Sequence, residues 1–251
     1  MEENKSNSRF GDGPEIKSET VEKFSNFWYY YKWHTIVAIF IVFVVTVCSL
    51  QMCSKGTVDA YIMYAGGSEV SRTSSSGDIP EYNKLMSALE AYVPDYDGDG
   101  DTVISLSTLF VLSEGEIAEY EKQEGIEVNE MLLKEDSATL KDRLYVGEYY
   151  VCLLSPAVYK TYNEGEDISL FCPISDYSDG ADGLVLYDEY AVVLSSTPLY
   201  KNSAAVREIL PADTLVVLRI KSAISSVFDG SRNDERFARS EEIFKKILGA
   251  N

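Results

Sequence analysis

The residues of this chain best suited to chemistry are the carboxylates of VPDYDGDGDTVISL, residues 93–106. Four aspartates fall within seven residues there, and a bound cation would relieve their mutual repulsion. Carboxylate oxygens are the ligands that Ca²⁺ prefers. Aspartate and glycine are equally what a tight loop before a strand requires, because aspartate side chains accept hydrogen bonds from nearby main-chain N–H groups. The segment predicts a solvated turn without an ion and, as the alternative, a weak calcium site whose candidate ligands are Asp95, Asp97, Asp99 and Asp101.

The spacing of these aspartates follows an EF-hand loop only in its first half. The first three fall at loop positions 1, 3 and 5, and Gly100 falls at position 6, where such a loop turns sharply. The carbonyl of Asp101 would serve at position 7. Position 12, which a bidentate glutamate normally fills, is Leu106 in a predicted strand, so this is not an EF-hand. Water or another loop would have to complete the coordination, which implies a Kd of about 10⁻⁴–10⁻³ M.

Outside this loop the sequence contains no catalytic motif. Its one histidine, His34, lies in an apolar segment, so neither a Ser-His-Asp mechanism nor a histidine-ligated zinc is predicted for the rest of the chain. Glycine-rich phosphate-binding loops and HExxH zinc motifs are also absent from the sequence. We therefore predict that the protein is not an enzyme and binds no cofactor other than calcium. A hydrolase that uses two carboxylates is the enzymatic alternative.

A membrane anchor precedes the part of the chain that contains the aspartate loop. Residues 33–53 include no Asp, Glu or Arg and no Lys, and a helix of 21 residues spans roughly the 30 Å hydrocarbon core of a bilayer. The preceding FWYYYKW, residues 27–33, is rich in the aromatic side chains that favour the headgroup region. We predict a single transmembrane helix over residues 33–53.

The basic residues around this segment predict its orientation. The five that precede it are Lys5, Arg9, Lys17, Lys23 and Lys32. Near its other end only Lys55 and Arg72 follow, so the positive-inside rule leaves the N-terminus in the cytoplasm. The predicted organisation is a cytoplasmic tail (1–32), the transmembrane helix (33–53) and an extracytoplasmic domain (54–251), held in the cell membrane by an uncleaved anchor.

The charge of the chain limits its partners. The formal net charge is −19, and the tail accounts for only −1 of it. So acidic a domain repels phosphate backbones, which excludes nucleic acid as a partner and favours basic partners or cations. Cys152 and Cys172 lie in apolar, strand-like runs, where a disulfide in an exported domain and two buried thiols are both compatible with the sequence.

Strand-like and helix-like segments alternate along the predicted domain. Near-continuous apolar runs predict strands covered on both faces, and apolar residues at helical spacing predict helices between them. Ser113 with Glu116 forms a capping box, and Ser155 followed by Pro156 suits a helix start. The predicted strands are 57–65, 102–112, 147–155, 184–187, 190–195 and 213–220; the predicted helices are 80–92, 113–124, 131–144, 156–162, a short one ending at residue 211, and 234–248. This alternation predicts an α/β fold with one mainly parallel sheet.

Two parts of the chain carry a resemblance to known proteins. The anchor region KFSNFWYYYKWHTI (23–36) and the following VDAYIMYAG (58–66) resemble an uncharacterised family of single-pass membrane proteins of Gram-positive bacteria. The exported order is similar to one lobe of extracellular solute-binding proteins, through VDAYIMY, GEYYVCLLSPAVY (147–159) and YAVVLS (190–195). The resemblance implies a single lobe of a periplasmic-binding-protein type 2 fold. Only 56 residues follow Ser195, too few for the second lobe that closes over a solute.

These observations together predict a binding function. We expect a membrane-anchored, extracytoplasmic, non-enzymatic domain that contacts a protein partner at the cell envelope, as part of an envelope or transport complex. The alternative is a small-ligand receptor of the solute-binding kind that recruits a transporter.

Overall fold

A computed structural model of the chain describes residues 19–53, 58–72, 79–125, 127–163, 170–221 and 223–250. Its contacts divide the chain into two compact units, residues 1–55 and residues 56–251. The division falls two residues after the predicted end of the transmembrane segment.

The first unit contains a long helix, α1 (Glu19–Cys53). Its stretch Trp28–Cys48 is 21 residues long, apolar, and not buried within the chain. A helix of this length and composition could cross a membrane. The stretch Trp28–Cys48 contains most of the predicted span 33–53. It begins five residues earlier, because the aromatic residues before Trp33 are helical too. No second helix of the described residues meets the same criteria. Which end faces the cytoplasm stays a prediction.

The second unit is built on a five-stranded sheet with the order β2-β1-β3-β5-β4. Strands β1, β2 and β3 are mutually parallel, and β5 runs antiparallel to both of its neighbours. The bounds are β1 Ala60–Gly66, β2 Ile104–Phe110, β3 Val151–Leu154, β4 Val192–Val193 and β5 Leu215–Leu218. The predicted α/β class with a mainly parallel sheet is therefore confirmed.

Helices cover both faces of this sheet. They are α2 Glu69–Arg72, α3 Pro80–Glu90, α4 Glu114–Glu124, α5 Glu130–Tyr145, α6 Pro156–Asn163, α7 Pro198–Asn202, α8 Ala204–Ile209 and α9 Ala223–Leu248. Successive side chains of a strand point to opposite faces. Ile62 and Tyr64 of β1 accordingly enter one core layer, with α3 and α9, while Met63 and Ala65 enter the other, with α5 and α6.

Local sequence signals explain several helix ends. The Ser113 hydroxyl accepts the Glu116 N–H and the Glu116 carboxylate accepts the Ser113 N–H, so the predicted capping box is present. At the start of α5 the Asn129 side chain accepts two main-chain N–H groups. Pro156 opens α6 after Ser155, as predicted, and the Ser155 hydroxyl accepts the Val158 N–H at 3.3 Å. Each cap satisfies donors that the first helical turn leaves unpaired.

Several predicted elements differ from the structure. Of the predicted strand 190–195 only Val192–Val193 is a strand, and Leu194–Ser196 form a short 3-10 helix. The predicted strand 184–187 forms only one antiparallel bridge, Leu186 to Val192, because its side chains are largely exposed and gain little from pairing. The final helix was predicted from residue 234, whereas α9 begins at Ala223. The residues FDGSRN (228–233) have loop-like composition, but they continue a helix whose later half is packed on the sheet.

Candidate ligand-binding cleft

The topology creates a crevice at the carboxyl ends of β1 and β3. From β1 the chain proceeds to β2 on one side, and from β3 it proceeds toward β4 and β5 on the other side. Connections that leave two adjacent parallel strands in opposite directions open a gap between them, and open α/β sheets bind ligands there. Sequence analysis did not identify this site, because its residues come from segments far apart in the chain.

Two adjoining hollows of about 480 and 350 Å³ occupy the crevice, and together we call them the cleft. They share Gly67, Tyr120 and Pro211 as lining residues. The larger hollow lies between the loop after β1 and the end of α8, and the smaller one between α4 and the start of α6. Their volumes fall in the range of about 300–1,000 Å³ that is typical of ligand sites.

Tyr64 forms the floor of the cleft. The side chain is fully buried, and its phenol oxygen accepts the N–H of Ser68 at 3.3 Å. Burial raises the pKa of Tyr64, so the phenol stays protonated and can donate a hydrogen bond. A Cβ atom at Gly66 would lie 2.6 Å from the Tyr64 Oη, so glycine is required for the close approach of main chain and phenol.

Ser68 places an unsatisfied hydroxyl at the cleft. The residue is only 9% exposed, and its Oγ has no hydrogen-bond partner among the described residues. Its carbonyl is already used, because Ser71 donates to it through both its N–H and its hydroxyl. Buried polar atoms normally have partners. A ligand group that hydrogen-bonds Ser68 Oγ would therefore remove a cost that the free protein carries.

The cleft is strongly acidic. Its lining includes six carboxylates, from Glu69, Glu81, Glu116, Glu119, Glu208 and Asp213. The basic side chain of the lining is Arg207, whose Nη1 donates to the carbonyls of Tyr200 and Lys201 at 2.9 and 2.6 Å. Carboxylates concentrated in a concave surface attract cations over distances longer than a contact. Tyr120 and Tyr200 add aromatic rings, which also favour cationic groups.

The cleft contains groups that can bind a ligand. A nucleophilic serine needs a base within hydrogen-bond reach, whereas Ser68 Oγ has no such contact among the described residues. The Glu116 carboxylate already has a structural role in a helix cap, where it accepts the Ser113 N–H and hydroxyl at 2.7 and 2.8 Å. The residues present can hold a cation, orient an acceptor against the Tyr64 hydroxyl and supply an aromatic wall.

The aspartate loop lies at the other end of the parallel strands from the cleft, next to the amino ends of β1 and β2. The side chain of each of the first three aspartates accepts at least one main-chain hydrogen bond from within the loop. Asp95 accepts the N–H groups of Gly98 and Gly100 at 2.7 and 2.9 Å, with one carboxylate oxygen for each. Asp97 accepts the N–H of Asp99 at 3.2 Å, and Asp99 accepts that of Asp101 at 2.9 Å. The loop therefore has the turn hydrogen bonds that were expected of these residues without an ion.

The structure adds one carboxylate to this loop that sequence analysis missed. Asp59 is 3% exposed and accepts the N–H groups of Tyr96 and Val103 at 3.0 and 2.9 Å. One carboxylate oxygen from each of Asp59, Asp95 and Asp97 lies within 4.8 Å of the others, a grouping that does not include Asp99 or Asp101. The available signal was a charged residue inside the apolar run VDAYIMY. The calcium site stays a prediction.

Calcium at ten times its Kd is expected to stabilise the full-length protein in detergent by about 1.4 kcal/mol, because the ion binds the folded loop alone. For a domain of this size the melting temperature would rise by about 3–5 °C. Replacing Asp97 and Asp99 by asparagine should abolish the rise. The matched control is Asp179→Asn with Asp182→Asn, which removes the same charge from exposed positions elsewhere. A melting curve that millimolar calcium leaves unmoved contradicts the prediction.

The structure answers whether Cys152 and Cys172 form a disulfide. Cys152 and Cys172 are both free and buried, so they form no disulfide. Burial raises the pKa of the Cys152 thiol to about 12, which keeps it protonated and unreactive at neutral pH.

Comparisons of the chain with models of protein families, with curated proteins and with solved structures gave no match.

Proposed function

We propose that this protein is a membrane-anchored, extracytoplasmic, non-enzymatic binding domain whose acidic cleft holds a basic segment of a partner protein of the cell envelope. The observation that carries the proposal is the cleft itself: six carboxylates and one engaged arginine at the carboxyl ends of β1 and β3. Their charge selects a positively charged partner. The apolar helix α1 supports attachment to a membrane.

The sheet supports the resemblance to one lobe of a type 2 solute-binding protein. The feature that supports it is a mainly parallel sheet of five strands in which β5 runs antiparallel to its neighbours. A lobe supplies one wall of a binding site, and Glu69, Glu119 and Glu208 are exposed at the rim of the cleft. Small ligands are usually buried over about 70–90% of their surface. A protein partner is large enough to shield its own contact with a one-walled cleft from water. This favours a partner protein over a captured solute.

Neutralising two carboxylates of the cleft should weaken partner binding. In a pull-down of cross-linked full-length protein from detergent extracts of its native cells, Glu81→Gln with Glu119→Gln is expected to reduce recovery of the partner about tenfold. Asp142→Asn with Asp179→Asn changes the net charge equally at exposed sites outside the cleft and should change recovery less than about twofold. Equal loss in both variants, or no loss in either, would remove the cleft from the proposal.

The orientation in the membrane has a separate test. Protease added to intact, wall-stripped cells is expected to digest residues 54–251 and to spare the tail, because the basic residues hold the tail in the cytoplasm. Terminal tags on the full-length chain, followed by immunoblotting, report each side. Permeabilised cells, in which both tags should disappear, are the control. Loss of the N-terminal tag alone from intact cells would reverse the orientation.

A small-ligand receptor is the second candidate, and the buried Ser68 hydroxyl, which has no hydrogen-bond partner within geometric limits among the described residues, favours it. Such a receptor would take a small organic cation that also accepts or donates one hydrogen bond. Native mass spectrometry of the purified full-length protein distinguishes the two. A stoichiometric small molecule, lost in the Glu81→Gln, Glu119→Gln variant, would replace the partner-protein proposal by this one.

A further inference from the structure

A second surface of the domain, separate from the cleft, lies along the outer edge of the sheet. Strand β2 is the edge strand, and α3 and α5 flank it on the two faces of the sheet. A groove of about 360 Å³ runs along the edge between these helices, lined by residues 106–109 of β2 and by Tyr82, Asp136, Arg143 and Tyr149. It shares no lining residue with the cleft.

The groups of β2 that face the groove can be identified from two contacts. The Tyr82 hydroxyl donates to the Leu106 carbonyl at 2.9 Å, and the Phe110 N–H donates to Asp136 at 2.7 Å. The main-chain groups of a strand point to alternate sides from residue to residue. Since those of Leu106 and Phe110 point outward, the N–H and C=O of Thr108 point outward too. Between these two contacts the groove therefore presents the N–H donor and the C=O acceptor of Thr108.

Two buried side-chain atoms in the same groove are also unsatisfied. Thr108 is 5% exposed, and neither its Oγ1 nor the Nη1 of Arg143 has a hydrogen-bond partner among the described residues. Arg143 stacks on the Tyr149 ring, 4.8 Å from its centroid, which holds the guanidinium in place. Leaving buried polar atoms unpaired is costly, and native proteins rarely do so without a reason.

We propose that this groove, named here the β2 groove, binds a short extended segment of another polypeptide by adding a strand to the sheet. One residue of the segment exchanges main-chain hydrogen bonds with Thr108, as in a hydrogen-bonded antiparallel pair. A hydroxyl side chain opposite Thr108 pairs with its Oγ1, and a neighbouring side chain offers an acceptor to Arg143 on the other face.

Charge selects the occupant. Glu135 and Asp136 line the groove beside Arg143, so it is slightly acidic and suits a neutral or basic segment rather than an acidic one. A second copy of this chain would place its own Glu135 and Asp136 against these, and each copy has a net charge of −19. Edge-to-edge pairing of two copies is therefore disfavoured, and the occupant is a segment of a different protein.

Hydrogen exchange with single-residue resolution on the full-length protein in nanodiscs tests the free groove. The N–H of Thr108 is expected to exchange about 100-fold faster than those of Ser107 and Leu109, which point toward β1. Acetyl-Thr-Gln-Thr-Gln-Thr-amide in excess should slow exchange at Thr108 by at least tenfold. The same peptide with every amide N-methylated keeps the side chains, cannot add a strand, and should bind at least tenfold more weakly.

The Thr108→Val variant separates binding from folding. It removes the Thr108 hydroxyl, which has no partner among the described residues, and keeps the main chain. The melting temperature should therefore stay the same or rise while peptide affinity falls about threefold to tenfold. Equal protection of Thr108 and its neighbours in the free protein, or equal binding of the two peptides, overturns the proposal. Protection that appears with protein concentration alone also overturns it, in favour of a second copy.

Discussion

Replacing Arg219 by alanine is expected to lower the free energy of unfolding by about 3–5 kcal/mol, the largest effect of any single substitution considered. The side chain is 1% exposed at the end of β5. Its Nε, Nη1 and Nη2 donate to the carbonyls of Tyr149, Leu144 and Gly147 at 3.2, 3.1 and 2.6 Å. Its guanidinium also lies 4.5 Å from the centroid of the Tyr150 ring.

The size of this effect follows from what Arg219 connects. Burial lowers the pKa of Arg219, which reports a cost of desolvation that the three carbonyls and the ring offset. Alanine removes the guanidinium donors from those carbonyls and opens a cavity. Arg219→Lys keeps the charge but cannot reach three carbonyls at once, so we expect it to cost about 2–3 kcal/mol.

Urea denaturation of the full-length protein in detergent measures this change. Both tryptophans, Trp28 and Trp33, belong to α1, so the larger unit is followed by the near-ultraviolet circular dichroism of its tyrosines. Lys141→Ala, at an exposed position of α5, is the control and should stay within about 0.5 kcal/mol of the parent. A loss below about 1 kcal/mol for Arg219→Ala would show that other contacts hold the loop after α5.

Sequence patterns predicted the elements well where a local physical cause operates. Continuous apolar runs predict strands buried on both faces, and β1, β2, β3 and β5 are such strands. The capping box at Ser113 was predictable because its two partners lie three residues apart. The start of α9 was not, since the composition around Gly230 argues locally against the helix that the structure contains.

The sites depend on contacts that no local pattern encodes. Arg219 ends an apolar strand and reads as a solvent-facing residue, whereas its three acceptors lie some 70 residues earlier in the chain. The cleft brings together residues between Tyr64 and Thr214. The strand order alone decides which of these segments meet at the carboxyl ends of β1 and β3. The aspartate loop, by contrast, is contiguous in sequence, and for that reason most of its residues could be identified in advance.

Asp59 provides the second large effect, and it joins the aspartate loop to the sheet. Its two carboxylate oxygens accept the N–H groups of Tyr96 and Val103, on either side of the loop. Asp59→Ala removes both acceptors from a buried position, so the expected loss of unfolding free energy is about 2–4 kcal/mol. Asp59→Asn keeps one acceptor oxygen and turns an NH₂ group toward the other N–H, so a loss of about 1–2 kcal/mol is expected.

The same variants show whether Asp59 acts on the whole fold or on the loop alone. Asp101, an exposed aspartate of the same loop, gives the matched control, and Asp101→Asn should change stability by less than about 0.5 kcal/mol. Hydrogen exchange should speed up first at Tyr96 and Val103 in Asp59→Ala, because these amides lose their acceptor. If both amides stay protected and stability is unchanged, the loop is held by its internal turns, and Asp59 is then free to act chiefly as an ion ligand.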